Sequence, residues 1–188
     1  MMKKESDFLY IFRLAAVLLI ITSLVAAALA GVNAVTAPVI ARMTEEKTQQ
    51  AIAAVLPGGG QEMADLPAAA YEGSELVSKV YKGENGYAIE VTPGGFDNSI
   101  TMMVGVDSEG RVLGIDIIRH TETAGLGAVA DAETPAGQNF RSQFVGAGGS
   151  VAVVKDGGSM DAITGATVTS RAVCAGVNAA LACAATLG

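Results

Sequence analysis

Residues 99–117 read SITMMVGVDSEGRVLGIDI. Ile100, Met102, Val104 and Val106 alternate with Ser99, Thr101, Met103 and Gly105, and Leu113, Ile115 and Ile117 resume the pattern. Successive side chains of an extended chain point to opposite sides, so a period of two predicts half-buried strands. Asp107, Ser108, Glu109 and Gly110 form the turn between them, and so short a connection pairs its strands antiparallel. Upstream, Tyr87, Ile89 and Val91 alternate with Ala88, Glu90 and Thr92 behind a turn of Gly83, Glu84, Asn85 and Gly86, and the extended pattern begins at Glu75. Downstream, the sequence predicts a helix around residues 137–144, a short strand near residues 151–154 and a terminal helix from residue 168 to about residue 186. Strands gathered first and helices later predict an α+β domain, an antiparallel sheet with a packed C-terminal helix, over residues 75–188.

The N-terminal part has a different character. Lys3, Lys4, Glu5, Asp7 and Arg13 lie in a leader of residues 1–13, and residues 14–37 then carry no charge. At about 1.5 Å per residue such a run spans roughly 36 Å, enough to cross a hydrocarbon core of about 30 Å with some tilt. A cleavable signal peptide is the competing reading, with Ala28 and Ala30 as small residues near its end, but the run is long for a signal core. A retained single span is expected, its basic leader on the cytoplasmic side and the rest of the chain outside. Pro38 is expected to end or kink the span. Thr44, Glu45 and Glu46 resemble a fresh helix start, running to Leu56 before Pro57, Gly58, Gly59 and Gly60. Residues 38–74 are thus read as a stalk and a Gly-, Ala- and Pro-rich connector. The terminal helix is apolar nearly all round, Arg171 and Asn178 excepted. Its alanine-dominated run transfers weakly into lipid, so burial against the sheet is expected over a second span.

Composition excludes several functions. The chain of 188 residues has a net charge of −7, which argues against a nucleic-acid partner. Its one histidine, His120, leaves no Ser/His/Asp set. Cys174 and Cys183 would lie about 13.5 Å apart along one helix, too far for a disulfide, and read as buried apolar fillers. One histidine and two separated cysteines make no zinc or iron–sulfur ligand set.

The segment richest in chemistry is DAITGATVTS, from Asp161 to Ser170. A glycine bend followed by hydroxyls at the opening of an Ala-rich run is a loop entering a helix, where unpaired N–H groups and the helix dipole attract an anion such as phosphate. The simpler account is an ordinary N-cap. The segment resembles the flavin attachment motif of FMN-binding domains in Rnf- and Nqr-type respiratory complexes, with Asp161, Thr164, Gly165, Ala166 and Thr167 at the motif positions. The resemblance implies that a flavin transferase joins the phosphate of FMN to Thr167 as a phosphoester, and that Asp161 belongs to the transferase's recognition signal. Thr169 and Ser170 are competing hydroxyls nearby.

HTETAGLG, from His120 to Gly127, leaves a strand end. Taken alone it is a Gly-rich turn. It also resembles the ETPGLG loop of the Rnf G subunit, with Ala124 where that family has proline, a change that costs rigidity. By resemblance Glu122, Thr123, Gly125, Leu126 and Gly127 would line the isoalloxazine. A second Gly-rich turn, Pro93, Gly94, Gly95, Phe96, Asp97 and Asn98, resembles the family's turn before a strand, and Gly94 and Gly95 would allow close approach of a ligand. Lys155 could offset phosphate charge, although a lone lysine is ordinarily a solvated surface residue.

Together the two motifs and the span resemble the G subunit of an Rnf-type complex. That resemblance implies a membrane-anchored redox subunit with covalent FMN, partnered by other membrane subunits and passing electrons between ferredoxin and NAD while ions cross the membrane. No independent catalytic residue and no metal site are expected. The rivals are the C subunit of the Na⁺-pumping NADH:quinone reductase, a free-standing FMN electron carrier outside the cytoplasm, and a membrane-anchored binding module without flavin.

Overall fold

A computed structural model describes residues 3–63 and 75–187, with side chains described from Leu9 onward. Residues 64–74, most of the expected connector, lie outside the described residues, as do Met1, Met2 and Gly188. The chain divides into two compact units, Met1–Glu45 and Glu46–Gly188.

In the first unit, helix α1 (Lys3–Val55) presents Leu14, Leu18, Ile20, Leu24, Leu29 and Val32 outward, all exposed. An apolar helix with no protein cover suits lipid, where main-chain polar groups must be bonded within the segment. Thr22 and Thr36 hide their hydroxyls in the same way, donating to the carbonyls of Leu18 at 2.9 Å and Val32 at 3.0 Å. Length and hydropathy make this segment a candidate membrane span. Pro38 does not end the helix. It removes one N–H donor, and the flanking turns carry the helix past it, as membrane helices tolerate. Thr44 is therefore no fresh cap, and its hydroxyl donates back to the Ile40 carbonyl at 2.9 Å.

The second unit begins with the last turns of α1. Strands β1 (Gln61–Glu62), β2 (Val77–Lys82), β3 (Gly86–Val91), β4 (Thr101–Asp107) and β5 (Val112–Arg119) form one antiparallel sheet in sequence order. Helix α2 (Pro135–Ser142) and helix α3 (Thr167–Leu187) follow. The α+β expectation and the two turns hold. The two-residue β1, pairing with Lys82 and Tyr81, lies within the segment read as connector.

The strands differ from expectation in being covered on both faces. Met102, Val104 and Val106 join Ile89, Val91, Val173, Val177 and Ala180 in a core under α3. Met103 and Ala88 point the other way and pack with Ala51, Ile52, Val55 and Leu56 at the end of α1. Period two therefore marks two buried faces, and the residues read as a stalk form the second cover. Gly105 shows how close this cover lies, since a Cβ there would stand 2.1 Å from the Val55 carbonyl oxygen.

The strand expected at 151–154 does not form. Val153 makes one isolated bridge to Met160, and a 3-10 turn takes over at Val154–Asp156. The hydrogen-bonding capacity of Val151 is used by Asn178 of α3, which accepts from the Val151 N–H at 2.8 Å and donates to its carbonyl at 2.9 Å. A side-chain amide here replaces a neighbouring strand. Helix α3 is 67% buried over its apolar window and packs on the sheet, as expected. Cys174 and Cys183 are buried free thiols, and burial pushes the Cys174 thiol up to about 11, which leaves it neutral and inert.

Gly105→Ala should destabilise the domain by about 1–3 kcal/mol, because the obstacle is main chain that cannot rotate away. Denaturant unfolding of the detergent-solubilised protein checks this. A chain starting at Glu46 should be soluble, whereas one starting at Pro57 should aggregate with Met103 and Ala88 uncovered; equal solubility of the two would show the second cover to be dispensable.

Candidate functional site

The site forms where three connections meet: the turn between β3 and β4, the loop after β5, and the entry to α3. Leaving β5, the chain reaches Glu122, which is only 7% exposed. Its Oε1 accepts from the Phe96 N–H at 2.8 Å and its Oε2 accepts from the Thr169 hydroxyl at 2.5 Å. One carboxylate thus ties all three connections. The Glu122 N–H donates to His120 Nδ1 at 3.2 Å, and His120 Nε2 lies 3.6 Å from Asp131 Oδ2. Burial raises the Asp131 carboxyl above its ordinary range, against the opposing pull of His120 and Lys47.

The α3 entry is a turn at Thr164 and Gly165, and the helix opens at Thr167. Gly165 adopts φ +78°, a left-handed conformation that glycine takes without steric cost. Ser170 is fully buried, accepting from the Ile163 N–H and donating to the Ala166 carbonyl, both at 3.0 Å. Thr169 is 1% exposed and committed to Glu122. Thr167 is half-buried, and no hydrogen bond holds its hydroxyl among the described residues. The helix itself is anchored one turn on, where Arg171 forks onto Asp156 at 2.6 Å through two nitrogens and holds that carboxyl below its usual range.

Two clefts flank this turn. The smaller, about 240 Å³, is lined by Phe96, Glu122, Thr123, Leu126 and Gly127 on one side and Gly165, Ala166, Thr167, Val168 and Thr169 on the other. The larger, about 500 Å³, contains Asp161, Thr164 and Gly125 together with Asn139, Phe140 and Gln143. The motif residues are therefore divided, with Thr167 in one cleft and Asp161 and Thr164 in the other. Gln143 fixes the Asp161 main chain, accepting from its N–H at 2.7 Å and donating to its carbonyl at 3.3 Å. Gly94 lies exposed in a bridge to Ser99 and lines neither cleft, and Lys155 is an exposed residue of the 3-10 turn outside both. Gly95 is close-packed, but against Glu122, whose Oε1 would stand 2.2 Å from a Cβ there.

Phe96, Val168 and Gln143 are not singled out by the sequence. Phe96 is 70% exposed, Val168 46% and Leu126 44%, three apolar side chains around one small cleft. An exposed aromatic inside a Gly-rich turn is the available signal for Phe96. Gln143 has none, because its partner is main chain 18 residues away.

The chain is similar to known proteins along most of its length. A family model described as an FMN-binding domain matches residues 95–182, a stretch that runs from Gly95 through the β5 loop and most of α3. The G subunit of the Na(+)-translocating ferredoxin:NAD(+) oxidoreductase complex of Acetobacterium woodii is 32% identical over 94% of this chain and 92% of its own length. The G subunit of the ion-translocating oxidoreductase complex of Yersinia pestis is 48% identical over 50% of this chain and 47% of its own, and that of Pseudomonas aeruginosa PAO1 is 42% identical over 47% and 43%.

Gly127→Ala would place a Cβ 2.3 Å from Glu122 Oε2 and 2.6 Å from Thr169 Oγ1. It should lower stability by about 1–3 kcal/mol in denaturant unfolding, in line with overpacking elsewhere, whereas an unchanged midpoint would mean the loop yields freely.

Proposed function

The chain belongs to the family of G subunits of Rnf-type ion-translocating oxidoreductase complexes, and from that membership we propose that it carries FMN covalently on Thr167 and relays electrons on the outer side of the membrane. Support for FMN comes from the smaller cleft. Its floor is the first turn of α3, whose N–H groups lack partners within the helix and suit a phosphate. Its walls are Phe96, Leu126 and Val168, apolar and exposed, which suit a planar ring system. The cleft is smaller than the roughly 300 Å³ and above typical of sites that enclose a ligand, so it would cover a bound ring only in part. The residues therefore fit FMN.

The observation that carries the choice of acceptor is the state of three neighbouring hydroxyls. Ser170 is consumed by its own loop, and Thr169 donates to Glu122. A carboxylate that accepts from a hydroxyl also makes it more nucleophilic, which would favour Thr169, but burial at 1% exposure keeps any donor from reaching it. Thr167 alone is both accessible and uncommitted. In the attachment, Thr167 Oγ1 forms the new bond to phosphorus and its proton passes to a base of the transferase. Balance requires a donor whose FMN phosphate carries a leaving group, a flavin pyrophosphate, so that the P–O–P bond breaks and the other phosphate departs. Asp161 and Thr164, in the separate larger cleft, face the transferase in this reading.

Bound FMN supplies one- and two-electron redox chemistry. Leu126 and Phe96 would hold the ring, the α3 N-terminus would hold the phosphate, and the phosphoester would prevent loss of cofactor to the exterior. The A. woodii relative's name points to ferredoxin and NAD as the ends of the electron path and to an ion as the coupled cargo, and we assign the same roles to this chain's complex. Its partners are then the other membrane subunits, lipid around α1 and the flavin transferase.

After co-expression with a flavin transferase, the denatured protein should fluoresce in a gel and gain the mass of FMN less one water. Thr167→Val should abolish both signals and Thr169→Val neither; flavin persisting on the first variant moves the site. For topology, the leader Lys3, Lys4 and Arg13 favours a cytoplasmic N-terminus. Protease added to cells with a permeabilised wall should remove the domain from about residue 46 onward, and full protection would refute the outside placement.

A further inference from the structure

Glu122 has more contacts than a ring-lining residue needs. Both of its carboxylate oxygens are taken by protein donors, Phe96 N–H from the β3–β4 turn and Thr169 Oγ1 from the first turn of α3. Two glycines make room for it. A Cβ at Gly95 would stand 2.2 Å from Oε1, and one at Gly127 would stand 2.3 Å from Oε2. The close packing of Gly95 and Gly127 thus accommodates the carboxylate. The main chain at Glu122 is itself held, its N–H donating to His120 Nδ1 at 3.2 Å. A carboxylate this buried persists where its oxygens are hydrogen-bonded, and such charge-assisted bonds are the stronger kind.

We propose that Glu122 is a positioning residue: its carboxylate latches the turn bearing Phe96 to the start of α3 and so sets the width of the slot that receives the flavin ring. The proposal rests on the reading that the smaller cleft takes FMN. Phe96 itself has no other restraint of this kind, since its side chain is 70% exposed and its N–H is the atom the latch holds. The turn closes on itself, Gly95 N–H donating to the Asn98 carbonyl at 2.7 Å, and its base at Pro93 lies near Gly176 of α3, but the latch holds its tip. Without it, the tip bearing Phe96 can shift away from Leu126 and Thr167, and an attached ring would lose its fixed orientation while the phosphoester stayed intact. The negative charge of Glu122 is not the agent, because an anion beside a phosphate-binding helix start opposes the ligand. Geometry is.

Glutamine separates the two. In Glu122→Gln the side-chain oxygen can still accept from Phe96 N–H, and the amide nitrogen can donate to Thr169 Oγ1, so the latch survives without its charge. In Glu122→Ala both donors lose their acceptor.

The first measurement needs no flavin. Hydrogen–deuterium exchange of the full-length protein in detergent, prepared without a transferase, should show the Phe96 amide exchanging faster in Glu122→Ala by roughly tenfold or more, as expected for loss of a partly buried, charge-assisted hydrogen bond. Glu122→Gln should stay within about twofold of the parent, rescued by its retained bonds. The second measurement uses protein carrying flavin. The visible circular dichroism of the flavin, a signature of fixed ring orientation, should collapse in Glu122→Ala and persist in Glu122→Gln. Equal effects of alanine and glutamine would overturn the latch in favour of a charge effect, and no change in either would overturn it outright. If the alanine variant does not fold, Thr169→Val decides, since it removes one arm alone: faster Phe96 exchange supports the latch and parental exchange overturns it. If the parent carries no flavin at all, the FMN reading falls while the exchange result still judges the latch.

Discussion

Gly176 sets how closely α3 can lie on the sheet. A Cβ at that position would stand 3.0 Å from Met102 Sδ and 3.1 Å from Pro93 Cγ and Val91 Cγ2. Glycine within a helix costs about 1 kcal/mol relative to alanine, and here that cost is offset by contact with β3 and β4 along a helix whose inner face is fully buried. The position of the helix then determines everything at its N-terminus. Because α3 lies across the sheet at this depth, its first turn arrives beside the loop leaving β5, and Thr169 meets Glu122. The cleft is a by-product of that packing.

Two modes of recognition divide the site, one apolar and local, the other polar and long-range. Leu126, Val168 and Phe96 offer surface without hydrogen bonds. The polar groups among them are nearly all engaged with one another: Glu122 with Phe96 and Thr169, Ser170 with its own loop, Gln143 with Asp161. Such satisfaction of buried polar groups makes the surroundings rigid. Of the three hydroxyls on the first turn of α3, it leaves only Thr167 without a hydrogen-bond partner among the described residues.

The strand alternation, both hairpin turns and the terminal helix were legible because each is written in local periodicity or local turn chemistry. The α3 entry was legible through its motif. What the sequence concealed is non-local. Met103 and Ala88 alternate out of phase with the expected core, and only the end of α1 explains why they are buried. Asn178 looked like a polar interruption in an apolar helix, yet it supplies the hydrogen bonds of a missing strand to Val151. Pro38 does not terminate the helix because it removes a single N–H donor, and the hydrogen bonds of the turns on either side carry the helix past it. The division of the motif between two clefts has no signature in spacing at all.

The two covers of the sheet come from opposite ends of the domain's sequence. Ile52 and Val55 join Ile118 on one face, while Val173 and Val177 close the other. The β2–β3 and β4–β5 hairpins have short turns and can form quickly, but the faces they present are apolar on both sides. During synthesis the first cover must wait for β5, and the second emerges only after the whole sheet. Contacts of such long sequence separation form slowly, since loop closure precedes any gain from burial. A sheet that formed before α3 emerged would leave Met102 and its neighbours uncovered. Thr167, the hydroxyl proposed to receive the cofactor, is placed by that same covering helix.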